Sequence, residues 1–330
     1  MKIFYAVQAT GNGHISRANQ LVPILQNYGM VDVFLSGHNY SLTPNFDVTY
    51  KSKGLSLFYT QCGGVDLVKT IFGNNLKEAM YDAKSLPVEA YDLVINDFDW
   101  LTARACKLKN VKSIQFGHQA SFTSPLAPRP LRKEIVGEYV LQNFAKAQKY
   151  VGLHFKAYDE HIHPPIIKTQ ILDAEPRNMG HVSVYLPSVS EHCILNALQK
   201  IPDVTFHWFL HGLSAPTQFK NIMMFPVTDE GFTSSLISCH GLITGGGFET
   251  PAEALYLGKK LLSIPINKHY EQQCNAAALS KLGVKVILKP DYDNFEDDII
   301  RWLAKSEDMI TIEACQTESL VAHIVQSNKA

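Results

Sequence analysis

The sequence predicts two doubly wound α/β domains, on three observations. Short β-branched or apolar runs alternate with longer helical patterns along most of the chain. Several of these runs are continuously apolar, as strands are when helices cover both faces of a parallel sheet. The 330 residues also exceed what one hydrophobic core usually holds. Finally, the alternation breaks once, from about His154 to His181, where Pro164, Pro165 and Pro176 punctuate the chain. Such a stretch suits an interdomain connection. The expected layout is a first domain over 1–155, a connector over 156–181 and a second domain over 182–330. The helical segment after Asp308 is a candidate to pack back on the first domain.

In the first half, strands are expected at Lys2–Val7, Val31–Leu35, Leu55–Tyr59, Leu93–Asn96, Ser113–Phe116 and Tyr150–Leu153. In the second they are expected at Val182–Leu186, Thr205–Phe209, Ile222–Phe225, Gly241–Thr244, Lys260–Ile264 and Lys285–Leu288. Helical periodicity marks Ser16–Tyr28, Asp66–Ser85, Glu191–Gln199, Phe248–Leu257 and Tyr270–Leu282. Strand-helix alternation of this kind implies right-handed crossovers and two Rossmann-like sheets facing across a cleft.

Composition narrows the function. Hydrophobic residues are 46% and charged residues 18%, and the net charge is -1, without the basic excess that nucleic-acid binding demands. The apolar start Met1–Val7 is too short for a signal peptide, and no stretch approaches the roughly 20 apolar residues of a membrane span. The six cysteines are scattered with no C-x-x-C pair, which fits reduced thiols in a cytoplasmic protein. His161 and His163 have metal-ligand spacing but no second ligand cluster, so no metal site is expected.

The first strand-to-helix turn reads Gly11-Asn12-Gly13-His14, with the helix expected near Ser16. Glycines there let backbone approach a ligand, and the helix N-terminus favours anions. As a dinucleotide fingerprint the turn fails, because Ser16 stands where a third glycine belongs. The ribose-binding acid is also missing, since Ser36 and Gly37 occupy the end of the second strand. A nicotinamide enzyme is disfavoured. His14 falls at the C-terminal edge of a parallel sheet, where its imidazole can take a proton from an acceptor hydroxyl or merely cap the turn.

The second turn is more specific. A buried strand ends at Thr244, then come Gly245, Gly246 and Gly247, and a helix begins near Phe248 with Glu249 and Thr250. Core packing alone does not call for three glycines in a row; backbone lying against a diphosphate does. Glu253 falls on the second helical turn, within reach of ribose hydroxyls, and no P-loop lysine is present. After the next strand, Glu271 and Gln272 open a helix with groups suited to sugar hydroxyls or to an ordinary solvated first turn.

These segments resemble the GT-B glycosyltransferases, above all family 28, with the peptidoglycan GlcNAc transferase group, and family 1. The resemblance rests on Gly11–His14 and on the ordered series Thr244–Thr250, Glu253–Leu255, Gly258–Lys260, Ile264-Pro265, Glu271-Gln272 and Asn275-Ala276. It implies a GT-B fold and transfer from a nucleotide-sugar donor with inversion, without metal and without a cofactor, since the donor is a substrate. It further implies His14 as general base, Asp97 as the acid orienting it, and Gly245, Gly246, Gly247 and Phe248 as the diphosphate turn. Glu253 matches the ribose-binding glutamate, and Glu271 and Gln272 the pair that contacts the donor sugar. The chain departs from the pattern in its sparser first glycine run and in Glu-Gln where Asp-Gln is commoner.

A UDP-sugar 2-epimerase of the same plan and a non-catalytic nucleotide-sugar binding protein are the alternatives. The acceptor is open: a small molecule, a glycan or a lipid-linked molecule at the inner membrane face, as in family 28. The run from Phe116 to Arg132, with His118, Gln119 and Ser121, is either part of an acceptor pocket or a Pro-rich surface loop.

Overall fold

The computed structural model describes residues 1–37, 40, 42–55, 75–305 and 309–328. Two seven-stranded sheets organise the chain. The first holds β1 (Lys2–Gln8), β2 (Met30–Ser36), β3 (Tyr50–Ser52), β4 (Leu93–Asp97), β5 (Ile114–Gly117), β6 (Lys149–Leu153) and β7 (Ile162–His163). Their order is β3-β2-β1-β4-β5-β6-β7, every pairing parallel. Chain direction across the sheet reverses between β1 and β4, and a doubly wound sheet binds ligands outside the strand ends at such a point. β1 and β4 are almost wholly buried, matching the apolar runs Ile3–Val7 and Leu93–Ile95 within them.

The second sheet holds β8 (Val182–Tyr185), β9 (Phe206–Leu210), β10 (Thr217–Phe219), β11 (Ile222–Pro226), β12 (Gly241–Gly245), β13 (Lys260–Ile264) and β14 (Lys285–Val286). Its order is β10-β11-β9-β8-β12-β13-β14, parallel except for the β10–β11 hairpin. The reversal falls between β8 and β12, so the glycine turn after β12 stands at the second sheet's switch point.

Helices in the first half are α1 (Asn12–Gln26), α2 (Leu76–Ser85), α3 (Trp100–Lys109) and α4 (Ile135–Asn143). The connector carries the short α5 (Thr169–Leu172). The second half adds α6 (Glu191–Leu198), α7 (Asp229–Ser238), α8 (Glu249–Tyr256), α9 (Tyr270–Lys281) and α10 (Phe295–Ala304), and α11 (Thr317–Ser327) closes the chain. α11 packs against α1, and Asn328 Nδ2 donates to the Asp92 carbonyl at 2.8 Å. One apolar core runs from β1 and α1 through Phe248 and α8 to Val321 and Ile324, so the two halves share buried surface. Among the described residues no helix is long and apolar enough to cross a membrane.

Three details differ from the sequence expectation and a fourth expectation lies largely outside the described residues. α1 begins at Asn12 rather than near Ser16, because extended Gly11 ends the turn early, and His14 therefore lies inside the first helical turn. The strand expected at Leu55–Tyr59 falls almost entirely outside the described residues, as does the start of the helix expected from Asp66; β3 at Tyr50–Ser52 pairs with β2 instead. β7 lies within the stretch expected to connect the domains and completes the first sheet. The run after Phe116 divides: His118–Thr123 is a buried 3₁₀ turn, while the Pro-rich part from Pro125 to Arg132 is irregular chain that exposes Leu126 and Leu131.

Candidate active site

The end of β4 is shaped by a sharp turn. Asn96 Oδ1 accepts from the Asp99 amide at 2.6 Å, Asp99 caps α3 through the Thr102 amide at 2.6 Å, and Phe98 between them takes φ 58°. This turn holds Asp97 fully buried beneath the first turn of α1. The Asp97 Oδ1 atom lies 2.9 Å from His14 Nδ1. A carboxylate only accepts, so a hydrogen bond here takes the tautomer with the proton on Nδ1 and the lone pair on Nε2. The His14 side chain keeps 12% exposure while Asp97 has none, so the pair is open only on its histidine side.

Sequence reasoning missed Arg17. One helical turn beyond His14, its guanidinium is 3% exposed. Arg17 Nε donates to Asp97 Oδ2 at 3.0 Å, and one terminal nitrogen reaches Oδ1 at 2.8 Å and Oδ2 at 2.9 Å. That same nitrogen is 3.0 Å from His14 Nδ1. The other terminal nitrogen pairs with Glu249 Oε1, at the start of α8 in the second half. Burial pushes the Asp97 carboxyl up, but Arg17 and then His14 outweigh it and hold the acid ionised below its ordinary range. Burial likewise opposes charge on Arg17, and Asp97 and Glu249 overcome it. The i,i+3 spacing of His14 and Arg17 was the available signal, since such pairs share a helix face.

Glycines clear room for this cluster. A β-carbon on Gly117 would meet Asp97 Oδ1 at 2.7 Å, and one on Gly13 would collide with the Glu249 carboxylate. Gly13 is thus where the second half's helix approaches the first half's backbone.

The Gly245–Gly247 turn is built differently from its sequence reading. A β-carbon on Gly246 would strike Pro265 at 2.8 Å, so packing alone explains that glycine. The Gly246 amide donates to Gln272 Oε1 at 3.2 Å, and the Ile266 amide shares this acceptor at 2.9 Å. Gln272 therefore braces the turn, and the Gly246 amide is engaged within the protein. Thr244 Oγ1 is engaged too, donating to the Tyr185 carbonyl at 3.1 Å. Gly247 is the one with nothing within 4 Å of a built β-carbon. It opens on free space immediately before the N-terminus of α8, whose first-turn amides lack intrahelical partners and favour an anion. Glu249 and Thr250 are half-buried in that first turn.

Phe248 and His118 are brought together, but as packing. Their rings stack at 3.9 Å with 6° between planes. His118 Nδ1 lies 2.9 Å from the Leu153 carbonyl and Nε2 lies 2.7 Å from Asn275 Oδ1, so both ring nitrogens are occupied. Asn275 in turn donates to the Gly246 carbonyl at 3.1 Å, carrying the contact from β6 across to the glycine turn. Burial pushes the His118 imidazole down. Tyr270 adds a second crossing, donating to Glu138 Oε2 at 2.7 Å.

Glu253 is 4% exposed. Its carboxylate lies 3.6 Å from Lys168 Nζ, and Lys168 also bonds Asp229 at 2.7 Å. Burial pushes Glu253 up to about 7, partly offset by Lys168. Glu271 is held below its ordinary range, His118 and His269 outweighing burial. Gly11 and Asn12 sit half-buried at the start of α1, and Asn12 Oδ1 accepts from the Leu42 amide at 3.0 Å. A cavity of about 1470 Å³ is lined by α1, the connector around Lys168, Asp229 of α7 and the C-terminal segment, away from the His14 cluster. Among the described residues no group of three metal-ligating side chains converges, His161 and His163 included.

A family model described as Glycosyl transferase family 1 matches residues 1–304. No curated protein matches the chain in sequence. Among solved structures, the glycotransferase of kitacinnamycin superposes with a TM-score of 0.61 at 12% identity, over 99% of this chain and 95% of that one. UGT89C1 of Arabidopsis thaliana complexed with UDP-L-rhamnose gives 0.59 at 13% identity, over 99% and 93%. MurG of Acinetobacter baumannii gives 0.57 at 13% identity, over 98% and 99%. At these identities the likeness establishes the fold, which is GT-B.

Proposed function

Because the chain belongs to glycosyl transferase family 1 and is a glycosyltransferase, we propose that it carries a sugar from a UDP-sugar to an acceptor hydroxyl, with inversion, without a metal ion and without a cofactor. The two sheets then act as separate domains joined through the part of 156–181 that follows β7. The observation that carries the reading is the joining of two half-sites by one contact. Arg17 ties the His14–Asp97 pair of the first sheet's switch point to Glu249 at the N-terminus of α8, at the switch point of the second.

The chemistry follows from that arrangement. An acceptor oxygen attacks the anomeric carbon while His14 Nε2 takes its proton, and Asp97 supports the imidazolium that forms. The bond from the anomeric carbon to the leaving diphosphate breaks, and negative charge grows on the phosphate. Preorganised amides and the dipole at the start of α8 stabilise that charge, without a magnesium clamp. Gly247 leaves the approach clear, Glu253 takes the ribose hydroxyls in exchange for Lys168, and Glu271 with the amide nitrogen of Gln272 takes the sugar hydroxyls. The neighbour bound to UDP-L-rhamnose supports the choice of donor.

Calorimetry with UDP tests the donor assignment. The parent protein is expected to bind UDP, and Gly247→Val to lose at least about tenfold in affinity (roughly 1.4 kcal/mol) while keeping its melting temperature. Glu253→Ala is expected to weaken UDP in the same experiment. A parent that binds no nucleoside diphosphate overturns the reading, and transfer that stops in EDTA overturns its metal-free form.

A second feature favours an acceptor held at a lipid surface. Leu126 is 61% exposed, Leu131 108%, Ile135 86%, Val136 55% and Tyr139 67%, an apolar run interrupted by Arg132 and Lys133. It lies on and before α4, which packs on α9 where Gly137 meets the Tyr270 ring, at the edge of the cleft. Exposed apolar residues flanked by cations suit anionic lipid headgroups. Flotation with anionic vesicles is expected to carry the protein and to fail for Leu131→Ser/Ile135→Ser; equal flotation of both sinks this reading.

A further inference from the structure

The glycine turn after β12 is gripped by one face of α9. Gln272 and Asn275 share that face, because residues three apart on a helix are neighbours. Gln272 Oε1 accepts from the Gly246 amide at 3.2 Å, and Asn275 Nδ2 donates to the Gly246 carbonyl at 3.1 Å. Side chains thus take both polar groups of one backbone residue, and Pro265 presses on the same residue where its β-carbon would stand. Asn275 is fully buried.

The consequence falls on the next residue. The Gly246 carbonyl and the Gly247 N–H belong to one planar trans peptide, so they point in opposite directions. With the carbonyl turned onto α9, the Gly247 N–H is turned away from it. That N–H finds no acceptor among the described residues. Nothing lies within 4 Å of a β-carbon built on Gly247, and the first amides of α8 follow directly.

We propose that Asn275 is a positioning residue that sets the plane of the Gly246–Gly247 peptide, so that the Gly247 N–H joins the first-turn amides of α8 as a donor to the diphosphate. The inference rests on the donor reading above and adds to it the group that aims the amide. Glycines on both sides of a peptide give it no preferred plane, so a clamp from outside the turn is needed. An amide aimed in advance stabilises charge on the leaving group without reorganising during the reaction.

The Asn275 amide is itself held one way round. Only its nitrogen end can serve the Gly246 carbonyl, which leaves Oδ1 at 2.7 Å from His118 Nε2. His118 Nδ1 faces the Leu153 carbonyl at 2.9 Å, so the ring fills both contacts when it carries both protons. Burial opposes the second proton, and Glu271 and then Glu249 favour it. The grip on Gly246 needs only the Asn275 amide, and the first half reaches the turn through His118.

The experiment compares UDP with uridine, which offers base and ribose but no diphosphate, in NMR titrations of the ¹⁵N-glycine-labelled full-length protein. The Gly247 resonance is assigned by its loss in Gly247→Ala. In the parent, UDP is expected to move this resonance and uridine to leave it in place. Asn275→Leu is expected to weaken UDP by about tenfold, as for one misdirected hydrogen bond to a charged group, and to leave uridine affinity unchanged. A side chain that merely filled the core would lower the melting temperature without changing the ratio of the two affinities. Should Asn275→Leu fail to fold, Asn275→Ser, neutral and too short to reach the carbonyl, carries the same comparison. UDP and uridine weakened by the same factor, or UDP not weakened at all, overturns the role of Asn275, as does a Gly247 resonance that bound UDP leaves unmoved. A parent that binds neither ligand overturns the donor reading itself, and the inference falls with it.

Discussion

His14→Ala is expected to lower the rate of sugar transfer by roughly two to four orders of magnitude, the range for loss of a general base. The fold should hardly notice. His14 is the partly exposed member of its pair, and Asp97 retains both Arg17 contacts without it. Removing the ring therefore leaves no buried charge unpaired, and the melting temperature should match that of the parent. UDP affinity should also be kept, since the donor contacts proposed here lie in the second half. The measurement is initial-rate transfer with a UDP-sugar, alongside thermal unfolding and UDP calorimetry. Turnover within a few-fold of the parent removes His14 from the chemistry.

Asp97→Ala is expected to act on both activity and folding. Asp97 is fully buried, and its loss leaves the 3%-exposed Arg17 guanidinium with Glu249 alone. Removing one partner of a buried ion pair costs on the order of 3–5 kcal/mol. For a chain of this size that corresponds to a drop of roughly 10 °C in melting temperature. The imidazole would also lose the acceptor that keeps its proton on Nδ1. Activity should therefore fall at least as far as in His14→Ala. An Asp97→Ala protein that unfolds at the parent temperature refutes the energetic role assigned to the pair, whatever its activity.

Much of this was legible in the sequence, for physical reasons. Strand-helix alternation and continuous apolar runs gave both sheets, because a strand buried on both faces has no room for polar residues. His14 follows one such run and was expected at the sheet's C-terminal edge, whereas Asp97, which ends another, was singled out by the family resemblance; the strand order puts both at the switch point. What the sequence hid were the long-range partners. Arg17 and Glu249 are 232 positions apart and Lys168 and Glu253 are 85, and no local pattern links such residues. His118 looked like a group for the acceptor because it follows a strand, but Phe248 and Asn275 from the other half enclose it. The triple glycine was read as one device. Its members divide the work: Gly246 makes room for Pro265, and Gly247 faces open space.

The chain passes between its halves twice, once outward through the connector and once back to α11, and the two passages lie side by side, the Cys315 amide donating to the Pro165 carbonyl at 2.8 Å. Two crossings laid side by side gather the covalent joins of the halves into one seam, and the apolar core through Phe248 seals them away from it, so a single cut in the connector would leave both pieces still bound to each other.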